Sequence, residues 1–217
     1  KYYRNSIIED LYSSILGDRL NELLQKGDAP FINGWGAYYN RARKMDVYHN
    51  SVTLKEGNLL GGTETFLNEI ERANRHGVVA TELERAKTEM LSRIEKQYKD
   101  RNKQHNDRLV QGYKRHYLVN EPVPGIEFEF EAMKKLLPGI SAEEVNAFSK
   151  KWMTKENVVI TFTAPEKEGV ELPTEAQLLS LVEKVGNADL KPYEDKGITE
   201  PLIAEMPKAG GVKKEAK

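Results

Sequence analysis

GVVATELERAKTEMLSRIEKQYKDRNKQHNDRLVQGYKRHYL, residues 77–118, sets the frame for the rest of the chain. Thr81 stands where a helix cap would, and Glu84, three residues on, is spaced to reach back to the cap's own amide. Gly77 closes the helix before it. Leu83, Ala86, Met90, Leu91, Ile94 and Tyr98 then recur at intervals of three and four, one apolar stripe on a surface of Lys, Arg, Glu and Gln. A long amphipathic helix of this kind requires a sheet or other helices over its stripe. A polar interval from Lys99 to Arg108 precedes Leu109, Tyr113 and Tyr117, so the stretch predicts two consecutive helices jointed near Asn102 to Asn106.

Working outward toward the start, Ile7, Ile8, Leu11, Ile15, Leu16, Leu20, Leu23 and Leu24 share a helical period, and Gly27, Asp28 and Pro30 end it. In FINGWGAYYNRARK (31–44), Trp35, Ala37 and Tyr39 alternate with glycines and polar residues. In MDVYHNSVTLKEG (45–57), Met45, Val47 and His49 share one side, and the apolar phase shifts after Asn50 to Val52 and Leu54, which predicts a bulge there. The two segments read as an antiparallel pair linked near Arg41 to Lys44. Gly61, Gly62 and Thr63 lead into a helix with Phe66, Leu67, Ile70 and Ala73 that stops at His76.

Toward the end, Pro122 and Pro124 break the chain, a short helix runs through Phe130, Met133 and Leu137, and Pro138 with Gly139 breaks it again. Ser141 with Glu144 forms a capping box ahead of Val145, Phe148 and Trp152. VVITFTAP (158–165) turns Val158, Ile160 and Phe162 one way and Val159, Thr161 and Thr163 the other, the pattern of an interior strand. Thr174 with Gln177 opens a last helix carrying Leu178, Leu179, Leu181, Val182 and Val185. Beyond Gly186 the periodicity fades into residues rich in Pro, Gly and charge. This divides the chain into a single domain at 1–187 and a linker or tail at 188–217. The expected fold class is α+β, a mostly antiparallel sheet with helices packed on one face. Three strands are few for so many apolar helices, so a further, first strand is expected upstream of Lys1.

The totals narrow the function. With 33 basic and 34 acidic residues among 217 the net charge is -1, which gives no electrostatic reason to expect nucleic acid as a partner. No long apolar run points to a membrane segment. The absence of cysteine removes thiol catalysis, disulfides and thiolate metal sites together. The chain opens on KYYRNSIIEDLYSS, without an initiator Met, and enters a helix at once, which predicts an excised piece of a longer protein.

No catalytic constellation emerges from the residues. His49, His76, His105 and His116 lie in no HExxH or HxxEH spacing. His105 and His116 are separated by roughly 16 Å of helix, so they read as surface or helix-end imidazoles. Glu127, Glu129 and Glu131 alternate with Phe128 and Phe130 and are explained as solvated carboxylates at a helix start. The glycines of NGWGAYY lack a phosphate-loop pattern and are strand glycines that let another backbone or a bound peptide approach. Ten Lys or Arg against four acids between Arg85 and Arg115 read as a solvated face. Trp35 has two readings, core packing against the first helix or contact with peptide.

ILGDRLNELLQKGDAPFINGWGAYY (15–39) and GVVATELERAKTEMLSRIE (77–95) resemble the insulinase and pitrilysin family of zinc peptidases, the inverzincins, which includes the processing peptidases. Gly77, Val78, Glu82, Leu83, Ala86 and Lys87 match the family's turn into its long helix, and the likeness runs through WMTKENVVITFTAP, covering about residues 5 to 165. The resemblance implies one of four similar α/β domains, of the processing-peptidase metallohydrolase fold, arranged as two bowl-shaped halves around a chamber. In that family HxxEH and a downstream Glu of the first domain hold zinc, and this chain has no HxxEH. The fourth domain of active members supplies an Arg and a Tyr, and Gln25 and Phe31 or Ile32 stand in their places here. Neither Gln25 nor Phe31 or Ile32 offers a guanidinium or a hydroxyl to a developing oxyanion.

These departures imply the second domain of the first half, with no catalytic and no metal residues of its own. Zinc would then belong to another domain of the parent. The expected role is a non-catalytic wall of a peptide-degrading chamber, with Trp35 and Tyr39 as peptide-contact residues. Its expected partners are the other domains of the parent chain and a peptide substrate, with self-association of the isolated fragment through the exposed interdomain surface. The bacterial periplasm or cell envelope is the expected compartment of the parent. The alternative is a structural or protein-interaction subunit on the same fold with no peptidase activity.

Overall fold

Helix α1 (Tyr2–Gln25) buries Ile7, Ile8, Leu11, Tyr12, Ile15, Leu16 and Leu20, and the rest of the molecule is assembled on that stripe. Full burial of each such aliphatic side chain contributes about 1.5–3 kcal/mol of transfer free energy. The computed structural model describes residues 2–42, 45–103, 105–154, 156–165, 167–195 and Gly210. Strands β1 (Phe31–Ala42) and β2 (Met45–Leu54) follow, then helices α2 (Leu59–His76), α3 (Ala80–Lys99), α4 (Asn106–Val119), α5 (Ile126–Leu136), α6 (Ala142–Ser149) and α7 (Glu175–Asn187). This is the α+β order expected, with the joint between α3 and α4 formed by a short 3₁₀ turn at Arg101–Lys103.

The two strands pair antiparallel, with Gly36 opposite Asn50 and Tyr38 opposite Tyr48. The irregularities lie on β1, between Phe31 and Asn33 and between Asn40 and Ala42, and not after Asn50. The expected bulge is therefore misplaced. Tyr48, Val52 and Leu54 pack against the helical core, and Asn50 lies in that same row with its Oδ1 beside Gly36 and Leu16. A polar residue in the core-facing row imitates a change of phase, because alternation alone does not say which side a polar side chain takes.

Aromatic rings knit the hairpin to the helices. Trp152, just beyond α6, stacks on Tyr38 at 4.6 Å and meets Tyr12 of α1 edge-on at 5.5 Å. Phe31 is fully buried against Phe66 of α2. Gly36 is required where it stands, since a Cβ would lie 2.3 Å from Asn50 Oδ1 and 2.6 Å from Leu16.

Helix starts follow the sequence in two places and depart from it in a third. Thr174 and Gln177 form the expected reciprocal cap on α7. Ser141 accepts from the Glu144 amide, while the Glu144 carboxylate pairs with Arg4 at 2.6 Å. On α3 the cap position is Val79 rather than Thr81, and the Glu82 carboxylate accepts from the Val79 amide at 2.9 Å. Glu84 instead receives Lys87 at 2.7 Å. Glu82 prevails because a buried arginine also fixes its carboxylate, as described below.

The segment Val158–Thr163 departs from its expected strand. It pairs with neither β1 nor β2, and Val158, Val159 and Ile160 are exposed at 62%, 86% and 49%. A β pattern needs a neighbouring strand to hydrogen-bond with, and this segment joins the outer edge of neither β1 nor β2. Helix α4 forms, yet none of its residues is buried, and Leu109, Val110, Tyr113 and Tyr117 are exposed. No helix among the described residues is long and apolar enough to cross a membrane. Of the segment assigned as a linker, residues 188–195 lie against α1, α2 and α3 through Tyr193, Lys191 and Asp195, and the remainder apart from Gly210 lies outside the described residues.

Candidate peptide-contact face

The hairpin carries two rows of side chains. One row meets the helices, as Phe31, Tyr48, Val52 and Leu54 do. The opposite row holds Trp35, Ala37 and Tyr39 on β1, paired respectively with Ser51, His49 and Val47 on β2. Trp35 thus does not pack on α1; it is 39% exposed and leans edge-on against the His49 ring at 4.7 Å. The core-packing reading of Trp35 does not hold.

His49 sits diagonally between Trp35 and Tyr39, the spacing at which aromatic side chains on neighbouring strands touch. Its Nδ1 is 2.9 Å from the Tyr39 hydroxyl, and the Arg41 guanidinium donates to the same hydroxyl at 3.3 Å. The result is a half-buried aromatic row with a hydroxyl and two cationic or titratable partners at one end. At that end of the hairpin, Asn40 donates to Asp46 at 2.9 Å. Asp46 and Asp10 together with burial raise the Glu9 carboxyl to a pKa of about 7.

Chemically this face is suited to binding. It offers flat aromatic area, a tyrosine hydroxyl and, on either side, a strand edge with no ladder partner among the described residues. An extended peptide recognises such an edge through main-chain hydrogen bonds, with side-chain contacts adding selectivity. The imidazole of His49 is held in the row by the Tyr39 hydroxyl.

Among the described residues no group of three or more His, Cys, Asp or Glu could hold a metal ion. His76 reaches the Leu190 carbonyl from the end of α2, His116 the Glu121 carbonyl from α4, and His105 stands at the N-cap position of α4 without a side-chain cap hydrogen bond. Gln25 ends α1 in solvent, Phe31 is in the core and Ile32 is 60% exposed at a β1 irregularity. They converge on no common point that the contacts record.

Two features escaped the sequence reading. His49 was grouped with surface imidazoles, because its place between Trp35 and Tyr39 depends on strand register, which two irregularities on β1 set. The other is a buried ion-pair centre at Arg19, only 2% exposed. Arg19 donates to both oxygens of Glu82 at 2.6 and 2.7 Å and to the Gly77 carbonyl at 2.9 Å, and its Nη1 lies 3.6 Å from Glu69. Arg19 falls at helical spacing from Ile15, Leu16 and Leu23, on the apolar stripe of α1, and that position is the signal that could have found it.

No protein-family model matches the chain. Over 216 residues, 98% of its length, it is 26% identical to the zinc protease PQQL-like of Arabidopsis thaliana, and it spans 19% of that protein. Among solved structures, the first half of the periplasmic protease PqqL from Escherichia coli superposes with a TM-score of 0.63 at 16% identity, over 89% of this chain and 42% of that one. The complete PqqL gives 0.61 at 16% identity, over 94% and 22%. An insulinase family protease from Yersinia pestis gives 0.66 at 14% identity, over 85% and 38%. These likenesses agree with the two motifs that meet at Arg19: the chain is similar in sequence to a PQQL-like zinc protease and shares the fold seen in the insulinase-type protease structures.

Proposed function

We propose that this chain is a non-catalytic domain of a zinc-dependent endopeptidase, the second domain of its first half, and that the outer face of the hairpin forms part of the chamber wall. The observation that carries the reading is the half-open row Trp35, His49 and Tyr39 on a strand pair whose outer edges meet no further strand among the described residues, in a sequence that has no HxxEH. The match to a protease's first half over 42% of that chain supports a domain of about that share. Zinc is assigned to another domain of the parent, as the name of the Arabidopsis relative suggests, and no chemical step is assigned to this chain. The periplasm is the compartment proposed for the parent, by analogy with PqqL.

The function of the wall is to hold substrate extended while another domain cleaves it. Grip through backbone and aromatic faces tolerates many sequences, which suits a degrading enzyme. The test is titration of the chain with an unstructured peptide, followed by Trp fluorescence and by amide chemical shifts. Saturable shifts centred on Trp35, Tyr39 and His49, lost in Trp35→Ala, are expected. Shifts elsewhere, or none, would overturn the assignment of this face and favour a structural or interaction subunit on the same fold.

A further inference from the structure

The irregular segment after α7 is held at five successive points by side chains from three helices. Arg75 of α2 donates to the Val185, Gly186 and Ala188 carbonyls at 3.1, 2.6 and 2.6 Å, closing the carbonyl end of α7. His76 Nε2 lies 2.6 Å from the Leu190 carbonyl, and Arg72 donates to the Lys191 carbonyl at 2.8 Å. The Tyr193 hydroxyl donates to Glu22 of α1 at 2.7 Å. Arg85 of α3 donates to both oxygens of Asp195, whose side chain is only 10% exposed.

The Tyr193 ring does more than fill space. It lies 4.3 Å from the Arg19 guanidinium, covering the buried centre that Arg19 makes with Glu82, Glu69 and the Gly77 carbonyl. A desolvated cation under an aromatic face is held more firmly than one open to water, and the same dry surroundings strengthen its ion pairs. Arg19 Nη1 and the Glu69 Oε1 that faces it have no hydrogen-bond partner, so the centre relies on its neighbours to exclude solvent.

We propose that residues 188–195 act as a strap, with Tyr193 as its seal, so that release of the segment loosens the Arg19 centre and the junction of α1, α2 and α3. The strap anchors to α3 at Asp195 and to α1 at Tyr193, so tension on the chain beyond Asp195 reaches the turn Gly77–Leu83 through residues already in contact. The proposal is independent of what the hairpin face binds.

Amide hydrogen exchange on the full 217-residue chain tests it. Tyr193→Ala removes the seal and is expected to speed exchange at Gly77–Leu83 by about tenfold, the scale of one desolvated cation–π contact. Tyr193→Phe keeps the ring and loses only the hydroxyl, so exchange there stays within about twofold of wild type. Asp195→Asn weakens the Arg85 anchor and leaves the Tyr193 ring in place, and faster exchange at Gly77–Leu83 in that variant is the expected sign of transmission along the strap. Unchanged exchange in Tyr193→Ala and Asp195→Asn would overturn the proposal. Equal acceleration in the β1–β2 hairpin would overturn it too, because the segment would then be only one more part of a common core.

Discussion

Arg19 of α1 grips Glu82 of α3 through two hydrogen bonds of 2.6 and 2.7 Å, with both side chains almost completely buried. The two stretches that carry the family resemblance, one around Arg19 and Leu20 and one around Gly77 to Lys87, are thereby joined at a single point. Glu82 serves a second purpose, since its carboxylate also accepts the Val79 amide at the start of α3. One carboxylate therefore caps a helix and neutralises a buried guanidinium.

Removing one partner of this pair strands the others. Arg19→Leu leaves Glu82 buried without its cation, while Glu69 keeps Arg72 at 3.0 Å, and a loss of about 3–5 kcal/mol in denaturant unfolding is expected. Glu82→Leu in the same background is expected to recover part of that loss, because the desolvated charge goes with it. A double variant as unstable as the sum of the singles would contradict the pairing.

Asn146 of α6 bridges to the turn before α3, accepting from the Val78 amide at 2.8 Å and donating to the Val78 carbonyl at 3.1 Å. Asn146→Ala leaves two backbone groups unpaired in a mostly buried place, a cost of about 1–3 kcal/mol for each group that water cannot reach. Thermal unfolding reads the loss. Asn146→Asp, which keeps the acceptor and not the donor, is expected to fall between alanine and wild type.

Gly36→Ala forces a methyl onto Asn50 and Leu16. A destabilisation of about 1–3 kcal/mol is expected from overpacking at this crossing of β1 and α1. Gly17, with open space around its Cα, is the control: Gly17→Ala is expected to be neutral or stabilising by helix propensity.

Glu9 supplies a pH dependence. Burial, with Asp10 and Asp46 nearby, raises its pKa from 4.5 to about 7 in the folded chain, so the folded state holds this proton more tightly than the unfolded state. Its contribution to stability is fully present below pH 4.5 and is lost as pH rises through about 7. Glu9→Gln is therefore expected to raise the denaturation midpoint relative to wild type at pH 8. Near pH 4 the two proteins should unfold together; an equal offset at both values would contradict the shift.

Much of this fold was legible in the chain because helix signals are local. The stripe from Leu83 to Tyr98, the α3–α4 joint near Asn102 and the Thr174 cap all depend on neighbours a turn apart. What misled was set by distant contacts. Thr81 lost the α3 start to Glu82, whose partner Arg19 is 63 residues away. Asn50 imitated a bulge because only the register shows that it shares a row with Tyr48 and Val52. Val158–Thr163 has a strand's alternation and no strand beside it among the described residues, and alternation alone does not supply one. Trp35 and Tyr39 follow from the wall role that the resemblance implies, whereas His49 between them requires the pairing of Ala37 with His49.

The measurement that tests the central claim most directly is peptidase kinetics and zinc content of the full-length parent beside its Trp35→Ala variant, on an unstructured peptide. The account predicts a zinc-dependent parent and a variant that keeps its zinc, with KM raised by about 2–10-fold, the worth of one aromatic contact. A parent that holds no zinc and cleaves nothing, or a Trp35→Ala variant with wild-type KM, would contradict it.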